Sequence, residues 1–243
     1  MRTLLVLAPA IALVGACSTV ALTPNARSFP FDSPTTPAAG QADVQGDVSM
    51  VGAVLGPEAV NSDLRYRRAL GPRVVVEGEG GVLHVTNDGS GGHRNAYTGR
   101  VGVLAHPTDD DDVRTALTAG IGGGIAPVTG GWASVDIGAA IGGSNRWVRP
   151  FIGGDLSFNK VVVSDPFEVA SPGGNPVALR LPDTFGARAT GGVELGPADR
   201  TVVLGFSMAR MIGLETDRAS GDGSAEKPDE IVIALGAGVR IGL

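Results

Sequence analysis

From Ile231 to Leu243 the chain alternates with a period of two: Ile231, Ile233, Leu235, Ala237, Val239, Ile241 and Leu243 on one parity, and Val232, Ala234, Gly236, Gly238, Arg240 and Gly242 on the other. Successive side chains of a β-strand leave on opposite faces, so this stretch reads as a strand with one apolar face and one small or polar face. The alternation returns where Val113, Thr115, Leu117, Ala119 and Ile121 oppose Arg114, Ala116, Thr118, Gly120 and Gly122, and again over Ala133–Ile141 and Phe185–Leu195. No segment keeps a helical period, which restricts the chain to all-β architectures.

The pattern predicts about ten strands, near 42–55, 60–70, 73–86, 95–106, 113–126, 131–142, 147–160, 184–196, 200–213 and 230–242. Globular strands average about 5–6 residues, whereas strands that cross a bilayer need about 9–11, and most of these reach that length. Short connections (Gly71-Pro72, Pro107–Asp112, Gly143–Arg146, Pro197–Asp199) alternate with longer or more polar ones (Gly56–Ala59, Asn87–Arg94, Val161–Asp183, Leu214–Asp229), with Pro127–Gly130 the short exception. Short turns at one end and longer loops at the other are the arrangement of membrane barrels. The expected fold is an all-β, antiparallel up-and-down β-barrel of about 8–10 strands, transmembrane type, over residues 42–243.

Charge parity decides which face turns inward. Arg65, Arg67, Glu77, Glu79, Arg100, Arg114, Asp136, Arg149, Asp155, Arg188, Glu194 and Arg240 share the non-apolar face. An arginine facing lipid at mid-depth costs about 2–4 kcal/mol, so these twelve are expected in the barrel interior, their mixed signs forming ion pairs. Glycine makes up 38 of 243 residues, far above the usual share of about 7%, and Gly120, Gly122, Gly138, Gly236 and Gly238 lie on the same inward face. Small residues there leave room for long Arg and Glu side chains, the reverse of what an apolar interior needs. Trp132 and Trp147 fall on this parity near strand ends, and Pro150 inside a strand is expected to sit at a bulge.

The amino terminus supplies an export route. Arg2, an apolar run from Leu4 to Val14, and Gly15-Ala16 before Cys17 read as a removable secretory signal over residues 1–16, the run being too short for a spanning helix. Residues 17–41, with Pro24, Pro30, Pro34 and Pro37 among Ser, Thr and Asn, read as a tether that cannot support a packed core. Cys17 is the one cysteine of the chain and cannot form an internal disulfide.

Val14-Gly15-Ala16-Cys17 resembles the lipobox of bacterial lipoproteins, which implies acylation of Cys17, including palmitate, and with Ser18 next in line, transport to the outer membrane. Residues 42–243 resemble the small outer-membrane β-barrels of Gram-negative bacteria, the last strand carrying Gly238, Ile241 and Leu243 at the spacing of their assembly signal. Together these imply a lipid-anchored outer-membrane protein whose partner is membrane lipid, with lipopolysaccharide or another envelope component as a further partner.

Other chemistry is poorly supplied. A net charge of −6 and a pI near 5.0, without a basic cluster, speak against nucleic acid. His84, His93 and His106 lack the i, i+2 or i, i+4 spacing of metal ligands. Asp109–Asp112 are four consecutive carboxylates, unlike the alternating ligands of a calcium loop, and read as a solvated turn. The acidic stretch of Glu215, Asp217, Asp222, Glu226 and Asp229 is a candidate for cations between lipopolysaccharides. Gly120–Gly124 and Gly78–Gly81 lack the Lys-Ser/Thr and helix of a phosphate loop. The expectation is a non-enzymatic protein with no metal and no cofactor, in a structural, envelope-interaction or minor permeability role. The alternatives are a soluble periplasmic lipid-tethered β-barrel binding a small apolar ligand in an apolar interior, and an outer-membrane lipid-modifying enzyme with a histidine-centred cluster.

Overall fold

The computed structural model describes residues 33–53, 59–85, 94–107, 113–126, 130–164, 167–170, 176–179, 181–214 and 229–243. Among them run twelve strands: β1 (Ala42–Ala53), β2 (Ala59–Ala69), β3 (Val74–Val85), β4 (Arg94–Ala105), β5 (Val113–Ala126), β6 (Gly130–Gly143), β7 (Val148–Ser164), β8 (Phe167–Ala170), β9 (Pro176–Leu179), β10 (Thr184–Leu195), β11 (Arg200–Gly213) and β12 (Asp229–Gly242). Ten of them close an antiparallel barrel in which each strand pairs with its sequence neighbour, β7 with β10 across the link that carries the β8–β9 hairpin. The circuit closes between the first and last strands, in register from Asp43↔Gly242 to Ala53↔Val232. Closure leaves no unpaired strand edge.

The core is inverted relative to a water-soluble protein. Met50, Leu64, Val101, Ile121, Ile137, Ile152, Phe206 and Leu235 point outward and are more than half exposed, while Arg65, Arg67, Arg240 and Glu194 are the largest fully buried side chains. The outward strand residues carrying charge, Arg68, Lys160, Arg200, Arg210 and Asp229, stand near strand ends. Ten residues separate Arg200 from Arg210 on β11; at about 3.3 Å per residue and a tilt of roughly 40° that is a band about 25 Å tall.

Several sequence expectations are corrected. The link from Val161 to Asp183 is not all loop, because β7 runs on to Ser164 and the hairpin follows. Pro150 needs no bulge: it pairs with Val193 of β10, and the β6–β7 ladder ends beside it at Gly142↔Phe151, so no bond is asked of its missing N–H on that side. The irregularity lies instead at Gly131/Trp132, next to Gly130, whose φ of 130° suits glycine. The described end of the tether, residues 33–41, lies against the barrel, with Ser33 and Thr35 buried.

Candidate functional site

The lumen is where the unusual chemistry lies, and the strand pairing explains how it is assembled. Arg100 on β4 reaches to both sides, to the neighbouring β3 and past β5 to β6. Its Nε and Nη2 donate to Asp136 on β6 at 2.7 and 2.8 Å, its Nη1 donates to Glu79 on β3 at 3.1 Å, and Glu77 is a further partner. Arg65 on β2 joins through Glu79 at 3.0 Å. Glycine makes this possible, since a methyl group on Gly120 would overlap the Arg100 guanidinium. Farther round the wall, Arg188 pairs with Asp155 at 2.7 Å.

A second cluster sits at the mouth bounded by the short turns. Arg67 donates to both carboxylate oxygens of Asp43 at 2.9 and 2.8 Å. Glu194 accepts from Arg149 at 2.8 Å and from Arg240 at 2.6 and 3.2 Å, and both arginines also donate to Thr201 Oγ1. Three arginines thus face two carboxylates. Arg149 Nη1 disposes of its remaining donors on the carbonyls of Arg146 and Gly196 at 2.9 and 3.0 Å.

Described residues pack inside the barrel wall near both mouths. At the short-turn mouth the chain before β1 doubles back at Gly40, whose φ is 78°. The preceding residues cross the opening, where the Thr35 carbonyl accepts from Arg67 at 2.9 Å and Arg240 at 3.4 Å. At the opposite mouth Trp132, Ala96 and Leu181 pack together with Leu83, Ala126 and Val161. The indole lies over Gly124, where a methyl group would collide with the ring. Beside this cluster, burial raises the Asp183 carboxyl, yet hydrogen bonds from Lys160 Nζ at 2.6 Å and the Val161 amide at 2.8 Å outweigh it and hold the group below the usual carboxylate range.

Of the twelve charges singled out by parity, Arg65, Arg67, Glu77, Glu79, Arg100, Asp136, Arg149, Asp155, Glu194 and Arg240 are buried. Arg188 is half-buried. Arg114 is a correction: it has the inward parity but is exposed, because it stands one residue from the start of β5 at the rim. Trp132 faces inward as its parity implies, whereas Trp147 lies in a short turn, exposed, with the Arg146 guanidinium 5.3 Å from its ring centroid. Asp43, Asp47 and Asp63, outside the twelve, share the same inward parity and are buried. Asp43, Gln45, Asp47 and Ser49 alternate with Val44, Gly46, Val48 and Met50, and all four are buried. The two described histidines do not meet: His84 contacts Asn95, and His106 lies under the Thr36 hydroxyl. Cys17, His93, Asp109–Asp112 and the acidic residues from Glu215 to Glu226 lie outside the described residues.

No protein-family model and no curated protein matches the chain. Among solved structures it is similar to the β domain of the Bordetella autotransporter BrkA, at 14% identity over 84% of this chain and 100% of that one, with a TM-score of 0.46. Neisserial surface protein A is similar at 12% identity, over 84% and 98% of the two chains, TM-score 0.39. The N-terminal β-barrel domain of Pseudomonas aeruginosa OprF is similar at 11% identity, over 84% and 100%, TM-score 0.36. The barrel of this chain is closed by its own hydrogen-bond circuit.

Proposed function

We propose that this chain is a lipid-anchored β-barrel of the Gram-negative outer membrane, with a closed lumen and a structural or envelope-interaction role. The observation that carries the reading is the inversion of its faces. A barrel standing in water would expose its Arg, Asp and Glu and bury its Ile, Leu and Val; this one does the opposite around its whole circumference. Burying ionised groups is tolerable only when they are paired and the alternative is worse, as it is in hydrocarbon. The uncharged band of about 25 Å matches the apolar belt of membrane barrels.

Cys17 is the proposed lipid anchor, and a lumen filled by buried Arg, Asp and Glu side chains favours a closed barrel over a conducting one. A soluble barrel for apolar ligands would need an apolar interior, and the charged lumen argues against it. No catalytic residue is assigned.

The test is gel migration of the membrane-fractionated full chain, with and without boiling, alongside the Cys17→Ser variant. The expected result is membrane recovery, a mobility shift on heating, and loss of the lipid mass in the variant only. Recovery in the soluble periplasmic fraction without a shift would favour the soluble barrel.

A further inference from the structure

The segment before β1 is not a strand of the barrel, yet it crosses the short-turn mouth and meets the wall at widely separated points. Its path can be followed residue by residue. Ser33 hydrogen-bonds Glu194 of β10. Pro34 lies against β6, its Cγ 3.0 Å from where a methyl group on Gly142 would stand. The Thr35 carbonyl takes N–H groups from Arg67 on β2 and Arg240 on β12, one on each side of the β1–β12 closing seam. Thr36 Oγ1 lies 2.8 Å from His106 Nε2, and His106 Nδ1 lies 2.7 Å from the Thr115 carbonyl. A ring nitrogen facing a carbonyl must carry the proton, so in the neutral ring Nε2 accepts from the Thr36 hydroxyl. The chain then turns through Ala38–Gln41, with Gly40 in the left-handed region and its amide donating to Ala69 O at 3.1 Å, and enters β1.

Two features make this strap different from the strands it covers. It makes point contacts through side chains and single carbonyls, where a strand shares a continuous ladder. It is also joined to β1 through one turn with a glycine of positive φ, so it can swing clear without disturbing any strand pairing. Beneath it lie Arg67, Arg149 and Arg240 against Asp43 and Glu194, all buried.

We infer that Ser33–Thr36 is a displaceable seal. With it in place the short-turn mouth is shut. With it withdrawn, the mouth opens into a vestibule with an excess of guanidinium that favours small anions. The seal itself does not depend on the membrane reading, because every contact that defines it is inside the barrel.

Thiol accessibility tests it. In the full chain carrying Cys17→Ser, Thr201→Cys places one thiol at a 1% exposed position at the short-turn mouth, beside Arg149 and Arg240. The protein is refolded in detergent, its fold is checked by the heating shift, and it is treated with a sulfonate and then a trimethylammonium methanethiosulfonate. With the native strap the thiol should react slowly. Replacing Ser33, Pro34, Thr35 and Thr36 by glycine should speed modification about tenfold or more, the sulfonate reacting faster than the ammonium reagent. Should four glycines prevent folding, Pro34→Gly with Thr36→Val removes two of the contacts and should give a smaller rise in the same order of reagents. Equal rates with native and altered straps in folded protein would overturn the proposal, as would a fast reaction with the native strap. A preference for the cationic reagent would overturn the anion-favouring vestibule.

Discussion

Replacing Arg100 with methionine is expected to reduce the ratio of folded to unfolded protein by more than a hundredfold, equivalent to about 3–5 kcal/mol. Arg100 is 3% exposed and touches Glu77, Glu79 and Asp136. Methionine fills much of the volume but takes the guanidinium from among three buried carboxylates. Urea unfolding in lipid vesicles, followed by loss of the heat-shifted band, gives the value. Adding Asp136→Asn to Arg100→Met should recover part of the loss, because it removes one of three neighbouring like charges. A destabilisation below about 1 kcal/mol for Arg100→Met would mean that the ion-pair network contributes little to filling the barrel.

A substitution on the opposite face separates the two environments the barrel could occupy. Ile137 points outward from the middle of β6 and is 61% exposed. Ile137→Arg should cost about 2–4 kcal/mol if that face meets hydrocarbon, and should stay within about 0.5 kcal/mol if it meets water. Val148→Arg, at the outward start of β7, is the matched control and should cost no more than about 1 kcal/mol in either case, because arginine near the interface can reach headgroups. The measurement is the unfolding free energy of each variant in vesicles. A penalty at Ile137 several times that at Val148 marks the membrane belt.

What the sequence made legible follows from the physics of the pleat. A period of two is local information, so β5 and β11 are readable to the residue as 113–126 and 200–213, and the inward set follows from parity once charges identify the face. Parity gives direction and not depth, which is why Arg114 was placed with the lumen charges although the rim leaves it in solvent. Asp43, Asp47 and Asp63 were within reach of the same rule. The strap was not, because Ser33, Pro34, Thr35 and Thr36 have no period and little apolar surface; what orders them is Glu194, Gly142, Arg67, Arg240 and His106, all distant in sequence. The β8–β9 hairpin was missed for the complementary reason, its strands being four residues each, too short for alternation to stand out.

The central claim is that the apolar face of this barrel meets lipid, and the most direct measurement is a nitroxide scan of β6 in reconstituted vesicles. Labels placed singly from 133 to 141 are read for collision with oxygen, which concentrates in hydrocarbon, and with a water-soluble nickel chelate. The account predicts that positions 133, 135, 137, 139 and 141 meet oxygen and exclude nickel, while 134, 136, 138 and 140 are shielded from both. High nickel accessibility at 135, 137 and 139, with the fold intact, would place that face in water and contradict the account.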